Sequence, residues 1–520
     1  MKASDELFQL ITSLSKSEKR YFKIIAKQQN PDGKYNYLKL FNAIEKQEEY
    51  DEAKIIAQYK NKTFVKYLSS EKNYLYNLIL KSLNKYYTSS SVEMELDELF
   101  NCAKILYKKG LYSQCEKTLN RCLEIARKHE LFASVLKIAE LQLELIVHIA
   151  TSSEKMKKGF EQVCANTNEA LGKLNNLNEY YQLYTSFMEQ IRKKGELLHK
   201  ASDLSPLNKI IQNPLLKQEE KALSTKAKKV FYFINGTCHH AMGDMKSAYT
   251  YEVKGMKQVE AQSNFLQNDS AFYSAKLSNL CETCLRTKEY HLFKMYYDKL
   301  KNVPARFPME MSRQFYRTND LQARYYCHSG EFEKAIAMVD EIEDGFKEYH
   351  TNIHKSRQIS IQFYMAYAYL GNNDFKTALK WINKLLNEKT DLRTDILSFA
   401  RILNCIAHYE LDDYLSMESA YRSTVYFFSK KKDKSRLEDI FLNQFKKIHK
   451  ETDFKKRVRL FEGFKNEIKM NRDEGFEETF SEYFDLPAWL ESKIQNKTFA
   501  EIINAKNKPL KTIATAALIF

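Results

Sequence analysis

The chain has 520 residues, of which 44% are hydrophobic and 29% charged, and its formal net charge is +15. This balance excludes a disordered chain, and no uncharged apolar run approaches the roughly 20 residues that span a bilayer. Only 13 glycines and 7 prolines are present, where an average chain of this length carries roughly 60 of the two together. Because sheets need many tight turns, the composition favours helices joined by short connections.

The cysteines and the first residues indicate a compartment. Nine cysteines are scattered from Cys102 to Cys405, and an odd, scattered set is not typical of a disulfide framework. Asp5 and Glu6 lie where a signal peptide would begin its apolar core. We therefore expect a cytoplasmic protein without a membrane segment. The positive charge suits nucleic acid or an acidic protein, but lysines spread along the whole chain are also typical of a solvated exterior.

Residues 1–90 predict a basic region of short helices. Ser15 and Glu18 form a capping box at the start of SEKRYFKIIAK, the segment NPDGK at 30–34 is a turn, and a longer helix covers Glu71–Tyr87. Two interpretations remain open. The region is either the cap that a repeat array requires, or a helix-turn-helix nucleic-acid reader joined to a repeat sensor, as in peptide-responsive bacterial regulators.

Residues 91–475 repeat one pattern: a helix, a turn with Gly or Asp, an aromatic residue or Met, and a small residue three positions later. From Met245 the post-turn positions recur at intervals of 45, 42, 43 and 39 residues. The gap from Tyr112 to Met245 is long enough for three periods, with turns predicted near Thr151–Ser153 and Ala201–Pro206. The pattern predicts about nine helical hairpins. The post-turn residues in this segment are Tyr112, Met245, Tyr290, Phe332, Phe375, Tyr414 and Phe454, and an earlier copy of the pattern has Tyr50 at this position.

A hairpin of this kind cannot bury its apolar face alone, so neighbouring hairpins stack. Prolines fit between helices, where a missing N–H does no harm. The prolines predicted to lie between helical segments are Pro206, Pro214, Pro304, Pro308 and Pro487.

Small residues recur around the post-turn positions. They are Gly236, Ala248 and Gly255 around Met245, Ala103, Cys115 and Cys122 around Tyr112, and Ala323 and Ala335 around Phe332. In these positions the chain resembles the tetratricopeptide (TPR) family from Leu96 to Lys430. The period exceeds the family's roughly 34 residues, Ile342 replaces one small residue, and the family's Trp and closing Pro are largely missing. HEAT-type packing is the nearest alternative. The resemblance implies an all-α, right-handed solenoid with helical caps at both ends.

The C-terminal part is basic and rich in Phe. Over Lys430–Lys469 the interleaved Lys, Arg and Phe either grip nucleic acid or form amphipathic helices with Phe inside. The segment DLPAWLESK predicts a closing helix, and we expect the apolar tail ATAALIF to pack against it. The predicted organisation is therefore a basic cap over 1–90, a repeat array over 91–475, and a capping helix with its tail over 476–520.

Candidate catalytic and metal-ligating groups are few. Cys281 and Cys284 form a lone CxxC without two further ligands, so we expect both thiols in the core. His350 and His354 are four apart, but the Glu of an HExxH site is missing. His239 is expected to pack in the core or the groove. No Gly-rich phosphate loop is present. We expect no enzymatic activity, no metal and no cofactor.

The TPR resemblance implies a concave groove lined by the first helix of each hairpin. Arg313, Arg317 and Arg324 are spaced by 4 and 7 and share one helical stripe. With Phe363 and Tyr367 this predicts a basic patch beside an aromatic one, able to fork a carboxylate and stack a side chain. The alternative is that the arginines only pair with Asp320 and nearby acids. The predicted partner-binding residues are Asn279, Glu282, Arg286, Arg313, Arg317, Asp320, Arg324, His328, Phe363 and Tyr367.

We predict a non-enzymatic scaffold or adaptor that binds a peptide or protein partner in this groove. The alternative function is a TPR-containing regulator with a nucleic-acid-binding N-terminal region. A third hypothesis is a degenerate enzyme or the helical regulatory subunit of one.

Overall fold

The structure of the chain is a computed structural model. All regular secondary structure in the described residues is helical, which confirms the all-α prediction. Among these residues, no helix combines the length and the apolar character that crossing a bilayer requires. The structure describes residues 3–28, 36–88, 92–194, 201–262, 265–305, 307–349, 353–388, 392–431, 436–471 and 483–507.

The chain divides into two compact units. One comprises residues 1–178 with 223–226, and the other comprises 179–222 with 227–520. Their boundaries differ from the predicted segments 1–90, 91–475 and 476–520. The division at 178 falls inside a single helix, which sequence composition does not mark.

The first unit begins with short helices around an apolar core of their own. The backbone N–H of Ser15 donates to Glu18 Oε2 at 2.7 Å, and that of Glu18 donates to Ser15 Oγ at 3.3 Å, which confirms the capping box. The predicted turn at 30–34 lies outside the described residues. The helices are α1 (Ala3–Ser13), α2 (Lys16–Gln28), α3 (Asn36–Glu45), α4 (Glu52–Gln58) and, after the 3-10 turn Thr63–Tyr67, α5 (Leu68–Thr88).

Four further helices follow: α6 (Val92–Lys108), α7 (Tyr112–Lys128), α8 (Phe132–Ile149) and α9 (Ser153–Lys194). The predicted turn near Thr151–Ser153 is confirmed. The prediction of three regular periods between Tyr112 and Met245 is wrong, because α9 is one helix of 42 residues. Gly159 and Gly172 both lie within this helix, so a glycine does not by itself mark a turn here.

The predicted turn at Ala201–Pro206 is also wrong. These residues lie in α10 (Ala201–Ile211), with Pro206 inside the helix. A proline there removes one helical hydrogen bond and costs about 3 kcal/mol, whereas Leu207 next to it is fully buried and offsets much of that cost. Pro214 and Pro308 are the first residues of their helices, and Pro487 is the second residue of its helix. They lie in first turns and not between helices as predicted, and a missing N–H does no harm there either.

The second unit consists mainly of helix pairs. Consecutive first helices, α15, α17, α20 and α22, pack side by side, and α15, α20 and α22 each pack against the helix that follows them. The remaining helices of the chain are α11 (Pro214–Lys217), α12 (Thr225–Ala241), α13 (Met245–Glu260), α14 (Phe265–Asn268), α15 (Ser270–Arg286), α16 (Tyr290–Lys301), α17 (Pro308–Ser329), α18 (Phe332–Ile336), α19 (Val339–Glu348), α20 (Lys355–Gly371), α21 (Phe375–Leu386), α22 (Thr394–Glu410), α23 (Tyr414–Lys430), α24 (Arg436–Lys450), α25 (Phe454–Met470), α26 (Leu486–Gln495) and α27 (Phe499–Asn507).

The hairpin turns share one backbone geometry. Two residues before the second helix, one residue takes a positive φ, between 54° and 82°, and the next N–H bonds to the carbonyl five residues back, as Asp374 N does to Tyr369 O at 2.9 Å. This is the left-handed C-cap that ends helices. The left-handed residues are Gly110, Gly243, Lys288, Gly330, Asn373 and Asp412.

The predicted post-turn residues are confirmed as helix starts at seven positions: Tyr112, Met245, Tyr290, Phe332, Phe375, Tyr414 and Phe454. Tyr50 is an exception, because α4 begins at Glu52 after the cap Asp51. A further turn of the same kind was missed. Glu130 has φ 52° and Phe132 begins α8. The signal was the aromatic Phe132 with the small Val135 three positions later, but Glu is not a residue from which a left-handed turn is expected.

Glycine at the end of α20 allows a close helix contact. A Cβ on Gly371 would lie 2.5 Å from ring carbons of Phe332, which is buried, whereas a Cβ on Gly463 in α25 would meet nothing within 4 Å. We expect Gly371→Ala to lower the free energy of unfolding by about 1–3 kcal/mol through overpacking. The matched control Gly463→Ala should raise it by about 0.5–1 kcal/mol, because Ala is the better helix former. Urea unfolding followed by circular dichroism measures both, and equal effects of the two variants would contradict this packing.

Candidate functional site

Five arginines gather where α15, α17 and α20 pack together. We call Arg286, Arg313, Arg317, Arg324 and Arg357 the arginine cluster. Arg324 is 6% exposed, and its Nη1 lies 3.1 Å from Glu282 Oε1 on α15 and 3.7 Å from Asp320 Oδ2. Its guanidinium also lies 5.7 Å from the ring centre of Tyr364. Arg324 is therefore held inside the helix stack.

Both carboxylates near Arg324 have further partners or charges. The hydroxyl of Ser360 donates to Asp320 Oδ1 at 2.6 Å, which joins α17 to α20. Burial alone would raise the pKa of Glu282, but the positive charges of Arg324, Arg286 and Arg357 hold it far below its ordinary range. Glu282 is therefore ionised at neutral pH and acts as the counter-ion at the centre of the cluster.

A histidine beneath the cluster is neutral. Burial, reinforced by the charges of Arg286 and Arg324, lowers the pKa of His240 to about 3. The carbonyl of His240 accepts a hydrogen bond of 3.4 Å from Arg286 Nη1. Arg286 thus connects the cluster to the end of α12.

Arg317 is arranged differently from Arg324. Its Nη1 donates to Ser274 Oγ on α15 at 2.8 Å, and it forms no ion pair with any residue that the structure describes. Burial and the like charges of Arg357 and Arg313 lower the pKa of Arg317, which still stays charged because an arginine pKa begins at roughly 12.5 or higher. A half-buried guanidinium between like charges favours the arrival of an anion.

The other predicted polar residues divide between two places. Asn279 donates to Glu252 Oε1 at 3.0 Å and so belongs to the contact between α13 and α15. Arg286, Arg324 and His328 do come together, around a small cavity that Tyr367 and Asp485 also line. Arg313 is exposed at the start of the stripe, with Nη2 3.3 Å from Met309 Sδ.

The expectation that Phe363 and Tyr367 are exposed is wrong. They are 0% and 1% exposed, because residues 483–507, which we call the C-terminal hairpin, cover them. Tyr483 lies 6.2 Å from Phe363 between ring centres, and Phe484 lies 5.1 Å from Tyr367. The aromatic half of the predicted groove is thus filled by the chain itself.

The C-terminal hairpin is anchored by polar contacts at several first helices. Tyr483 OH donates to Asp395 Oδ2 at 2.5 Å, Trp489 Nε1 donates to Glu410 Oε1 at 2.6 Å, and Asn507 Nδ2 donates to the carbonyl of His328 at 2.7 Å. The predicted closing helix is confirmed as α26, whereas the apolar tail 514–520 lies outside the described residues.

The amphipathic interpretation of Lys430–Lys469 is confirmed for its described part. Phe441, Phe445, Phe461 and Phe464 are buried in α24 and α25 while most of the lysines are exposed. Phe454, at the start of α25, is exposed instead.

The described cysteine and histidine candidates are packed in the core, stacked on a ring or used as a helix cap. Cys281 and Cys284 are buried free thiols in an apolar cluster, which confirms their predicted core position. His239 stacks on Tyr251 at 5.5 Å. His354 caps α20 by accepting from Ser356 N, whereas His350 lies outside the described residues. Within the described part of the chain, no three His, Cys, Asp or Glu side chains are placed to hold a metal ion.

Sequence reasoning missed several residues that shape the site. Polar groups near the starts of α15 and α20 come from Ser274, Arg357 and Ser360. The predicted positions were counted from the turns at the other ends of these helices and did not extend this far. It also missed the fully buried pair of Lys276 Nζ and Glu252 Oε2, 2.8 Å apart. The two are 24 residues apart, and no local pattern marks such a pair.

Comparison with known proteins adds no assignment. No protein-family model matches the sequence, and no significant relative is found among curated proteins. The chemistry of the site therefore rests on its own geometry: guanidinium groups from three adjacent helices that can receive a carboxylate or another anion.

Replacing the central counter-ion should destabilise the protein in a pH-dependent way. We expect Glu282→Gln to lower the free energy of unfolding at pH 7 by about 1–3 kcal/mol, because the buried Arg324 loses the nearer of its two carboxylates and keeps Asp320. The folded pKa of Glu282 lies below the ordinary value of 4.5. The advantage of the wild type is therefore complete above that value and shrinks as the pH falls below it. Denaturant unfolding at several pH values measures this difference.

A matched control is the exposed pair of Lys347 Nζ and Asp344 Oδ1, 2.9 Å apart. Asp344→Asn should change the free energy of unfolding by no more than about 0.5 kcal/mol, since exposed ion pairs contribute little. A Glu282→Gln effect as small as this, or one that does not vary with pH, would show that Glu282 is not the counter-ion described.

Proposed function

We propose that the chain is a non-enzymatic adaptor, built as a TPR-like solenoid, that binds a protein or peptide partner through an acidic group held by Arg317 and Arg313. The observation that carries the proposal is the unbalanced charge of Arg317: its Nη1 donates to the neutral hydroxyl of Ser274 at 2.8 Å, and like charges from Arg313 and Arg357 act on it. The nearby carboxylates of Glu282 and Asp320 both contact Arg324 instead. A partner's carboxylate would supply the missing negative charge next to Arg317.

The arginines have different roles in this proposal. Arg324 is already paired inside the helix stack, so it supports the site and positions Glu282. Arg317 is half-buried and oriented by Ser274, and Arg313 is exposed beside it on the same stripe. A guanidinium that is already oriented loses less side-chain entropy when it binds a carboxylate through two parallel hydrogen bonds.

The aromatic part of the site also changes relative to the sequence-based hypothesis. Because the C-terminal hairpin covers Phe363 and Tyr367, we assign the stacking role to Tyr316, which neighbours Arg317 in sequence and is only half-buried. The guanidinium of Arg357 lies 5.7 Å from its ring centre. An acidic peptide with an apolar or aromatic neighbour would suit this surface.

The proposal is tested with fluorescein-labelled ten-residue peptides that contain Glu and an aromatic residue, each prepared with a free and with an amidated C-terminus. We expect Arg313→Glu combined with Arg317→Glu to weaken the tightest interaction at least about tenfold in fluorescence anisotropy, which corresponds to about 1.4 kcal/mol. Comparing free and amidated peptides tells a terminal carboxylate from an acidic side chain.

The control makes the same charge change on α21, where Lys376 and Lys380 are exposed. Lys376→Glu combined with Lys380→Glu should leave peptide affinity within about twofold. Equal affinity of the arginine variant and this control would refute the proposed role of the arginine cluster, provided that both retain the wild-type helical melt.

A further inference from the structure

One face of α5 carries exposed aromatic rings that no described residue covers. Tyr67 is 69% exposed and Tyr74 is 54% exposed, although tyrosine rings normally bury most of their apolar surface. Tyr67 ends the 3-10 turn that runs directly into α5, and the two residues are seven positions apart. Seven is two helical turns, so both rings project from one side.

The same face continues with polar and basic residues. Starting at Tyr67, positions spaced by three or four are occupied by Ser70, Tyr74, Asn77, Lys81 and Lys85, all of them exposed. Such spacing places them on one stripe of the helix. The stripe from Tyr67 to Lys85 is about 27 Å long at 1.5 Å per residue.

The charge of this face is one-sided. Lys62 and Lys66 precede the aromatic part and Lys81 and Lys85 follow it, and none of the four pairs with an acidic group among the residues that the structure describes. Lys72, by contrast, is buried and paired with Glu52. Glu71 is the one acidic residue between positions 59 and 88, and it is half-buried.

We propose that this face, which we call the α5 face, binds single-stranded nucleic acid. The lysines at its two ends would contact phosphates, the rings of Tyr67 and Tyr74 would stack on bases, and Ser70 and Asn77 would donate or accept hydrogen bonds between them. Aromatic platforms flanked by positive charge are the arrangement that sequence-tolerant single-strand binding uses. An acidic peptide would use the lysines but has no planar bases for the two rings.

The surroundings of the rings support this role. Tyr74 has a ring neighbour, Tyr37, at 6.1 Å between centres, and Tyr37 is itself buried and donates to the carbonyl of Ala26 at 2.7 Å. Tyr74 is therefore supported on one side, while its ring stays 54% exposed. All residues of the site belong to the first unit.

The test uses the full chain and fluorescein-labelled 20-nucleotide oligo(U) and oligo(dT) in fluorescence anisotropy at about 50 mM and 200 mM salt. We expect binding at low salt that weakens steeply at high salt, because phosphate contacts release counter-ions. Lys81→Glu with Lys85→Glu should weaken binding at least about tenfold and reduce the salt dependence. Tyr67→Ala with Tyr74→Ala should also weaken it about tenfold or more, with an unchanged salt dependence.

Two controls make the outcome decisive. Tyr67→Phe with Tyr74→Phe keeps both rings and should bind within about threefold of the wild type, and Lys117→Glu with Lys128→Glu makes the same charge change on exposed positions of α7. Thermal melts check that all variants fold. The absence of binding at 50 mM salt would overturn the proposal. So would unchanged affinity of the Tyr→Ala variant together with equal competition by poly-glutamate, which would show a surface for polyanions in general.

Discussion

The left-handed residue between paired helices is the constraint on which the rest of the second unit depends. It reverses the chain within two residues, and the hydrogen bond from the next N–H to the carbonyl five residues back fixes the angle at which the second helix leaves. The aromatic residue at the start of that helix then packs into the space beside the next pair, as Phe332 does against Gly371. Because each pair leaves the turn in the same way, first helices meet first helices, and charged residues on α15, α17 and α20 converge.

This regularity explains how much could be predicted from the sequence. The post-turn residues from Tyr112 to Phe454 all begin helices. Only some of them also pack as Phe332 does, since Tyr414 and Phe454 are exposed. Glu130 was missed because its left-handed backbone is imposed by the helices on either side of it, and the long helix α9 was missed because the absence of a turn leaves no residue to recognise. Pro206 was misplaced because tertiary burial of Leu207 outweighs a local preference.

The candidate site shows the same division between local and long-range information. The arginine stripe on α17 follows from helical spacing and is present. Four of the predicted partner-binding residues, Arg286, Arg324, His328 and Tyr367, line one cavity. Which arginines are already paired depends on Glu282, Ser274 and Ser360 in other helices, and no pattern within α17 encodes this. The covering of Phe363 and Tyr367 depends on residues more than a hundred positions later in the chain, beyond the reach of any repeat-based register.

The covering of Phe363 and Tyr367 by the C-terminal hairpin has a consequence during synthesis on the ribosome. Tyr367 is separated from Phe499 by 132 residues, so at ribosomal speeds of roughly 5–20 residues per second its ring emerges on the order of ten seconds before its cover does. During this interval the nascent chain exposes an apolar surface on α20 and α22. Chaperones that recognise such strips would have their main opportunity then, and codon choice after α22 sets how long it lasts.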